Sequence, residues 1–514
     1  KLEADSTEND FKSIQKLIDD AEDGDEIHLK EDSYFGEGNV IIINKSISLI
    51  GQNTILDGRN LSGILKIDKN VNINGITFIN AKDSAISNEG NLNISNSNFY
   101  NNSGTGIVNK NGSIDIFNCK FENSSYCNQY GGALYTRLGT INVYNSSFSN
   151  NNGEKGGAIY NDGEIHIYDS TFRSNVAKDY GGAIYNSGTL ELVNSTATYN
   201  SAPNAGTIYN ENKVTIINST LSRNRADTNG GVIYNSYGLL MIMNSKFEYN
   251  SVSGRGGVIF ERQGEINISS SIFSHNYESD EGCVLYISKG KANIDNSTFE
   301  SNSAKSYGGA MDNDGGTAFI RNCQFINNRG YGAGAIDNGG NTSIINSTFK
   351  NNKATTNGGI TDNNGIMIIV GSIFENNSAG IKGGAIMARK NTTISHCLFT
   401  NNNASIGCDV YQDEKNISLN NNWWGSNNPD FSTLLNYEIG EDFNWIIMNF
   451  TNATALESYN ESNLIISFNQ TSNMNGLIKD LESPELLAKI SGKLTLNCEN
   501  ASKNEIFNKK CFNV

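Results

Sequence analysis

The sequence has 514 residues, of which 52 are glycine and only 3 are proline, and hydrophobic residues make up 37% of it. This length and composition exclude a small disulfide-stapled fold and a disordered polar segment. The net charge is −16, from 54 acidic and 38 basic residues, and such a chain repels nucleic acid and anionic membrane surfaces. No apolar run reaches the ~20 residues that a membrane-spanning helix needs.

The chain opens with the pattern of a short amphipathic helix. The apolar residues with helical spacing are Phe11, Ile14, Leu17, Ile18 and Ala21. Gly24 follows them as a stop signal. Because the first coil of a solenoid exposes its core and unpaired backbone groups, this helix is expected to act as a cap. We assign residues 1–60 to the cap and the first strands, at 26–29 and 40–43.

An apolar anchor recurs through the middle of the chain. The anchors are Phe78, Phe99, Phe121, Phe148, Phe172, Ala197, Leu221, Phe247, Phe273, Phe299, Phe325, Phe349, Phe374 and Phe399. The period is ~25 residues, and each unit holds three short alternating segments between Gly and Asn turns. Such units bury an apolar face only when stacked at ~4.8 Å, and the apolar spacing of helical repeats is missing. The pattern predicts an all-β parallel β-helix of about 14 coils over residues 61–430.

A polar ladder accompanies the anchors, because the third residue after almost every anchor is asparagine. Its members are Asn102, Asn151, Asn175, Asn200, Asn224, Asn250, Asn276, Asn302, Asn328, Asn352, Asn377 and Asn402. Asparagine tolerates left-handed backbone angles, and its amide bonds to the same amide one coil away. We therefore predict a structural ladder at a repeated sharp turn. The glycosylation sequons three residues before an anchor, at Asn145, Asn194, Asn218, Asn296 and Asn346, are expected to be turn residues first and glycan sites if the chain is secreted.

The periodicity ends at 421–425, where Trp423 and Trp424 are expected to plug the end of the core. Beyond this point, alternating segments at 445–448 and 464–468 lack the repeat. These segments predict a small antiparallel β domain over 431–514.

Several motifs resemble those of a known group. They are Gly-Gly-Ala-Ile-Tyr-Asn at 156–161 and 181–186, the Asn-Ser-Thr-Phe units, the opening segment from Ser13 to Asp25, and Asn-Trp-Trp-Gly-Ser-Asn-Asn-Pro at 422–429. Over about 1–430 the chain resembles the adhesin-like surface proteins of methanogenic archaea, and its coils are similar to bacterial polymorphic outer-membrane repeats. The resemblance implies a right-handed, extracellular β-helix with a role in attachment, followed by an Ig-like tail. Related solenoids also include polysaccharide lyases and hydrolases, so the fold does not select a function.

One slot of the repeat is aromatic in seven consecutive coils. We call these residues the aromatic ladder: Tyr135, Tyr160, Tyr185, Tyr209, Tyr234, Phe260 and Tyr286. Strand alternation, with the neighbouring Ile and Asn facing inward, predicts that the rings face solvent. Such a row is a candidate platform for sugar rings or a partner strand. A ladder of like residues also stabilises a sheet without any ligand, and that alternative stays open.

The same slot is acidic in the next three coils, at Asp312, Asp337 and Asp362. Stacked like charges repel unless a cation, a proton or hydrogen bonds compensate them, so these residues are candidate Ca²⁺ ligands or a solvated acidic stripe. A β-helix lyase would also need a base on the same sheet. Arg389 is offset by one coil and two positions, and Lys382 is a neighbour only if its turn folds back. No catalytic residue and no cofactor other than Ca²⁺ is predicted.

Histidine and cysteine add no metal motif. The four histidines lie in unrelated slots at His28, His166, His275 and His396, so a zinc site is not supported. Eight cysteines allow 105 pairings. The close spacings predict local bridges Cys119–Cys127, Cys397–Cys408 and Cys498–Cys511 in an oxidising compartment, with Cys283 and Cys323 outside them.

These observations favour a non-enzymatic, adhesin-like protein at the cell surface or secreted. A rigid rod would present its ladders to a glycan or protein of another cell, without nucleic acid and without a membrane span in this chain. The first alternative is a polysaccharide lyase or hydrolase on the same scaffold. The second is a structural subunit of the cell envelope or of a filament that associates with itself.

Overall fold

The structure is a computed structural model that describes residues 2–3, 9–125, 131–277, 279–413, 416–452 and 464–488. It divides into two compact units, Lys1–Ala318 (unit 1) and Phe319–Val514 (unit 2). In both units, short strands pair in parallel with the equivalent strands of the next coil. The predicted all-β parallel β-helix is confirmed, with about 15 turns against the 14 or so expected. The domain limits after residues 60 and 430 stay predictions.

A coil of unit 1 shows how the repeat folds. It begins with the first strand Ile159–Asn161, continues with the second strand Glu164–Tyr168 and the third strand Thr171–Arg173, and ends in an arm, Val176–Tyr180. The strands are short because a turn residue follows every three to five positions. One unit cannot bury its apolar residues alone, so the core forms only by stacking on the coils above and below.

The strands of the other coils repeat these three positions. The first strands of unit 1 are Ile41–Ile43, Leu65–Ile67, Ser84–Asn88, Thr105–Asn109, Leu134–Thr136, Ile184–Asn186, Ile208–Asn210, Ile233–Asn235, Ile259–Glu261, Leu285–Ile287 and Met311–Asn313, and those of unit 2 are Ile336–Asn338, Thr361–Asn363, Ile386–Ala388 and Val410–Gln412. The second strands of unit 1 include Asn91–Ser95, Ser113–Phe117, Thr140–Tyr144, Thr189–Val193, Lys213–Ile217, Leu239–Met243, Glu265–Ser269 and Lys291–Asp295, and those of unit 2 are Asn341–Ile345, Ile366–Val370, Thr392–Ser395 and Ile417–Ser418. The third strands of unit 1 include Asn98–Tyr100, Lys120–Glu122, Ser147–Ser149, Thr196–Thr198, Thr220–Ser222, Lys246–Glu248, Ile272–Ser274 and Thr298–Glu300, and those of unit 2 are Gln324–Ile326, Thr348–Lys350, Ile373–Glu375 and Leu398–Thr400.

Two features of the early coils differ from this plan. The long strands Ile47–Asp57 and Asn70–Ile79 each combine a second and a third strand. They pair with each other, and a register irregularity lies between Ile50 and Thr54.

The predicted anchors form the core. Parallel pairing in register places Phe99 on Phe121 and Phe148 on Phe172, and the rings stack with centroids 4.5 to 5.1 Å apart in unit 1. The anchors are 0 or 1% exposed. Since stacked rings at this separation also bury their full apolar area, the ladder supplies both dispersion and hydrophobic stabilisation.

The asparagine ladder is buried, and its hydrogen bonds are as predicted. Asn175 is fully buried; its Nδ2 donates to Asn200 Oδ1 at 3.0 Å and to the carbonyl oxygen of Phe148 at 3.0 Å. Its Oδ1 accepts from the backbone N–H of Asn151 at 3.1 Å. The ladder therefore satisfies the polar groups of a turn that lies inside the protein.

The predicted backbone conformation of this ladder is wrong. The left-handed residue is the one before each ladder asparagine, for example Asn150 with φ 54° before Asn151. A second left-handed position follows the second strand, and there the prediction is confirmed: the sequon residues Asn145, Asn194, Asn218, Asn296 and Asn346 have φ between 47° and 50°. Asparagine relieves the steric cost of φ > 0, which explains why both positions are rich in it.

The N-terminal cap is the helix Phe11–Asp20, as expected. Phe11, Ile14 and Ile18 are buried, and the Asp10 side chain accepts a hydrogen bond from the Ser13 backbone N–H at 2.8 Å. The Gln15 side chain exchanges hydrogen bonds with the backbone N–H and C=O of Ile42 at 2.7 and 3.1 Å. The helix therefore covers the apolar core and also pairs a strand edge that would otherwise be open.

The described tail of unit 2 contains a short helix, Phe431–Leu434, a 3₁₀ turn, Pro484–Leu486, and three antiparallel strands, Asn444–Asn452, Leu464–Asn473 and Lys479–Asp480. The prediction for the indoles is confirmed, since Trp424 is 3% exposed and stacks on Phe399 with centroids 4.6 Å apart. The Ig-like assignment, part of which lies outside the described residues, stays a prediction.

The predicted bridge between Cys397 and Cys408 is wrong, and the predicted bridge between Cys498 and Cys511 lies outside the described residues. Cys119, Cys397 and Cys408 are free thiols, whereas Cys127, Cys498 and Cys511 lie outside the described residues. Cys119 and Cys397 lie two residues before an anchor, the position that is serine in most coils.

In this slot the thiol replaces a hydroxyl. Cys119 Sγ contacts the carbonyl oxygen of Phe117 at 3.3 Å, as the Ser170 hydroxyl donates to Tyr168 O at 2.8 Å. These two cysteines belong to a buried serine ladder. Their spacing from other cysteines along the chain therefore did not predict a disulfide correctly.

Candidate binding surface

The aromatic ladder lies on the first strands of unit 1, and its register is as predicted. Tyr160 pairs with Tyr185, Tyr185 with Tyr209, and Tyr234 with Phe260. From Tyr160 to Tyr286 the rings stack with centroid separations of 4.7 to 5.2 Å, while Tyr135 meets Tyr160 edge-on at 5.5 Å. The ladder is therefore a continuous column of rings.

The expectation that all seven rings face solvent is wrong. Tyr185, Tyr209, Phe260 and Tyr286 are buried, at 8% exposure or less, and Tyr135, Tyr160 and Tyr234 are half-buried. Part of the cover comes from the arm residue Tyr180, whose ring centroid lies 4.7 Å from that of Tyr209. Because the ring faces contact one another, the half-buried members Tyr135, Tyr160 and Tyr234 offer ring edges and hydroxyl groups to a ligand, and not open faces on which sugar rings stack.

Charged side chains surround the column. Lys155 Nζ lies 4.8 Å above the ring of Tyr185, and Arg255 lies 5.0 Å above that of Tyr286. The Tyr286 hydroxyl donates to Asp314 Oδ2 at 2.7 Å and accepts from Arg255 at 3.0 Å. These contacts make the outer edge of the ladder polar and hydrogen-bonding.

Burial keeps the tyrosine hydroxyls protonated. It raises the pKa of Tyr234 to about 12. Burial, reinforced by a hydrogen bond to Glu211, raises the pKa of Tyr185 far above its ordinary value. At neutral pH the phenols are therefore neutral groups that both donate and accept hydrogen bonds.

Two of the three acidic candidates are buried, so the three do not form the solvated stripe that was one of the two predictions. Asp312, in unit 1, is 4% exposed and pairs in register with Tyr286. In unit 2, Asp337 pairs in register with Asp362, which is 6% exposed. Among the described residues, no group of three or more His, Cys, Asp or Glu side chains is placed to hold a metal ion.

The charge of Asp362 is compensated by an arginine. Arg389 Nε and Nη2 bind the two carboxylate oxygens of Asp362 at 2.6 and 2.8 Å, and Arg389 also lies 3.7 Å from Asp413. The expectation that the offset of Arg389 keeps it apart is therefore wrong, since Arg389 directly follows the strand Ile386–Ala388, which pairs with the strand of Asp362. The hydrogen bond to Asp362 raises the pKa of Arg389, so this group is a fixed cation and not a base. Lys382 instead lies 4.3 Å above the ring of Tyr411.

Unit 1 also contains a buried acid that was not predicted from the sequence. Glu261 is fully buried at the end of its first strand, in the slot that is asparagine at 161, 186, 210 and 235. It accepts hydrogen bonds from Asn235 Nδ2 at 2.6 Å and from the backbone N–H of Gly264. Burial raises its pKa to about 8. Writing this inward slot out coil by coil would have exposed the exception.

Comparison with known families agrees with this fold. The family described as the right handed beta helix region matches residues 156–311 and 287–437. These matches cover more than half of the 514 residues, so the chain belongs to this family. The Chlamydia polymorphic membrane protein repeat matches residues 145–162. The handedness and the likeness to polymorphic outer-membrane repeats are thus confirmed, whereas the methanogen resemblance stays a prediction.

Three solved structures are similar over most of the chain at low identity. The catalytic unit of a thermostable GH87 alpha-1,3-glucanase from Streptomyces thermodiastaticus strain HF3-3 is 10% identical, with a TM-score of 0.30, and the match covers 84% of this chain and 70% of that one. PfbA, a surface adhesin of Streptococcus pneumoniae, is 13% identical, with a TM-score of 0.28, over 95% and 99% of the two chains. A mutant of the PL6 family alginate lyase AlyGC is 10% identical, with a TM-score of 0.21, over 80% and 100%.

A search of curated proteins finds no match to this sequence. Within the part of the chain that the structure describes, no helix has the length and apolar character needed to cross a membrane.

Proposed function

We propose that the chain is an extracellular, non-enzymatic adhesin-like protein that binds a cell-surface glycan at the outer edge of the aromatic ladder. One observation carries this proposal: the ladder is a column of stacked rings whose edge combines protonated hydroxyls with charged groups. Sugar hydroxyls are recognised by such donors and acceptors when they are fixed in space. The stacked rings hold the tyrosine hydroxyls at a regular spacing and restrict their motion.

The test uses hydroxyl deletions that keep the rings. The full chain is applied to an array of neutral glycans, and the hits are titrated against Tyr135→Phe, Tyr160→Phe and Tyr234→Phe combined. These are the half-buried members of the ladder, so the stack and the fold are retained. We expect the triple variant to bind the hits at least tenfold more weakly.

The matched control is Tyr144→Phe. Tyr144 belongs to a second stacked column, between Phe117 and Tyr168 on the second strands, with centroids 4.8 and 5.2 Å apart. The Tyr144→Phe variant should bind the glycans as the wild type does. Absence of any glycan hit, or equal binding by the wild type and the triple variant, would refute the proposal.

A polysaccharide lyase is the second candidate function, and the cluster of Asp337, Asp362 and Arg389 is the observation that favours it. Stacked carboxylates with an arginine on the same sheet would receive an acidic sugar only together with a cation held by the carboxylates, which is why the assay includes a chelator. Arg389 is held as a cation by Asp362, and its Nη1, 3.7 Å from Asp413, is the group that a substrate carboxylate would contact. Depolymerisation of uronate polysaccharides, with and without a chelator, is the deciding assay. Turnover that Arg389→Gln abolishes would replace the adhesin proposal.

A further inference from the structure

A further column of aromatic and cationic side chains lies at the ends of the third strands of unit 1 and at the corner that follows them. We call it the corner column; it consists of Arg173, Tyr199, Arg223, Tyr249 and His275. The Arg173 guanidinium lies 5.3 Å from the centre of the Tyr199 ring. Arg223 lies between two tyrosines, 5.9 Å from the ring of Tyr199 and 5.4 Å from that of Tyr249. The ring of Tyr249 then stacks on His275 at 5.1 Å.

These side chains are exposed, in contrast to most of the aromatic ladder. Tyr199 is 47% exposed and Tyr249 is 40% exposed, and the side chains of Arg173, Arg223 and His275 also face solvent. The column therefore presents ring edges and guanidinium N–H groups along one corner of unit 1.

Four of the five members of the column occupy backbone positions that disfavour their residue types. Tyr199, Arg223, Tyr249 and His275 have φ of 58°, 54°, 56° and 56°. In earlier coils this left-handed corner is held by Asn101, Asn123, Asn150 and Ser174. Bulky side chains are strained at φ > 0, and retained strain concentrates at functional sites. Four successive coils bear a cost that asparagine would avoid.

The arginines of the column have no acidic partner in the described part of the chain. Other arginines nearby do: Arg225 lies 3.9 Å from Asp227, and Arg255 lies 2.7 Å from Glu281. Glu248, next to Tyr249, is paired with Lys246 at 2.7 Å. In a protein of net charge −16, two exposed guanidinium groups fixed over tyrosine rings form a local site for an anion.

We propose that the corner column binds an anionic polysaccharide, a chain of uronate or sulfated sugars. Guanidinium edges bind carboxylate and sulfate in the same bidentate manner, and each ring covers the guanidinium face from water. Arg173 and Arg223 are roughly two coil steps apart, ~10 Å, which suits anionic groups spaced along an extended chain. Duplex DNA carries one charge per ~1.7 Å of its axis and is repelled more strongly by the acidic remainder of the protein.

Binding of the full chain is measured against four probes: a polyuronate, a sulfated glycosaminoglycan, neutral dextran and duplex DNA. We expect salt-dependent binding to one or both anionic polysaccharides, and the first two probes distinguish carboxylate from sulfate. Arg173→Gln combined with Arg223→Asn should weaken that binding at least tenfold. Tyr199→Asn and Tyr249→Asn together should weaken it severalfold without lowering the thermal midpoint, because asparagine fits the left-handed corner.

The controls separate this site from the aromatic ladder. Arg225→Gln, which removes an arginine already paired with Asp227, should bind as the wild type does, and so should the combined Tyr135→Phe, Tyr160→Phe and Tyr234→Phe variant. The inference is overturned if neither anionic polysaccharide binds, if the arginine variant binds them as tightly as the wild type, or if DNA binds as tightly as they do. Failure of the glycan proposal for the aromatic ladder leaves this result untouched.

Discussion

At the scale of single residues, hydrogen-bonded ladders accommodate polar side chains in the inward slots of the coils. Asn186 is fully buried and donates to Asn210 Oδ1 at 2.9 Å. Glu261 takes the same slot but is ionisable, and burial raises its pKa to about 8. An acid whose pKa rises on folding favours the folded state when protonated. Its contribution to the stability of the fold therefore falls as the pH rises.

Glu261→Gln should abolish a pH-dependent loss of stability. The unfolded carboxyl titrates near ~4.3, so the folded wild type holds an extra proton between that pH and about 8. Stability of the wild type falls across this window, by on the order of 5 kcal/mol. The variant should have the same thermal midpoint as the wild type at pH 4 and a higher one at pH 8. The control Glu265→Gln, at an acid with a 44% exposed side chain, should keep the wild-type slope, and an unchanged slope in Glu261→Gln would contradict the argument.

Thiol labelling tests the assignment of cysteines to buried slots. Burial raises the pKa of Cys119, Cys283 and Cys397 to about 12. At pH 8 only about one such thiol in ten thousand is ionised, so an alkylating reagent should leave these three unmodified in the native protein. Among the cysteines that the structure describes, the half-buried Cys408 should react first. Mass spectrometry of unreduced peptides would disprove the assignment by finding Cys397 joined to Cys408.

At the scale of elements, turns and ladders stabilise the coils together. The third strand is followed by a left-handed residue and then by a buried asparagine, as at Asn150 and Asn151. The first allows the sharp turn, and the second pairs the backbone groups that the turn leaves inside. Each corner therefore needs two polar residues: one adopts the left-handed backbone conformation, and the other forms hydrogen bonds with buried backbone groups.

Asn175→Ala should destabilise unit 1 by ~3 kcal/mol, because it leaves the N–H of Asn151 and the carbonyl oxygen of Phe148 buried without their partner. The measurement is the unfolding transition by circular dichroism. The matched control is Asn194→Gly at a left-handed corner with φ 50°, which should cost less than ~1 kcal/mol since glycine also adopts φ > 0. Equal losses would show that the buried amide has no special role.

At the scale of the whole molecule, the stability of a solenoid is limited at its ends, where the apolar core and the strand edges would be exposed to water. In unit 1 the helix Phe11–Asp20 covers the first coil. In unit 2, Trp424 closes the phenylalanine column and contacts Phe431 edge-on, with centroids 5.9 Å apart. A second cluster around Trp423, Ile446 and Leu481 joins the tail strands to the last coils of that unit. These covers oppose edge-to-edge association.

Trp424→Ala should lower the free energy of unfolding by ~3–4 kcal/mol and promote self-association through the opened end. Thermal unfolding and light scattering measure the two effects. Trp424→Phe restores the ring that occupies this column in earlier coils, so it should remain close to the wild type in both. A wild-type chain that itself forms filaments would favour the structural-subunit alternative.

The repeat, the parallel stacking, the anchors, the capping helix and the register of the aromatic ladder could all be predicted from the amino-acid sequence. Each of these follows from local alternation and from a period that places like residues over one another. Tertiary structure decided that Tyr185 and Tyr286 are buried, that Arg389 reaches Asp362, and that Cys119 joins a serine ladder. Those outcomes depend on where turns and arms direct side chains from adjacent coils, and spacing along one chain does not encode that geometry.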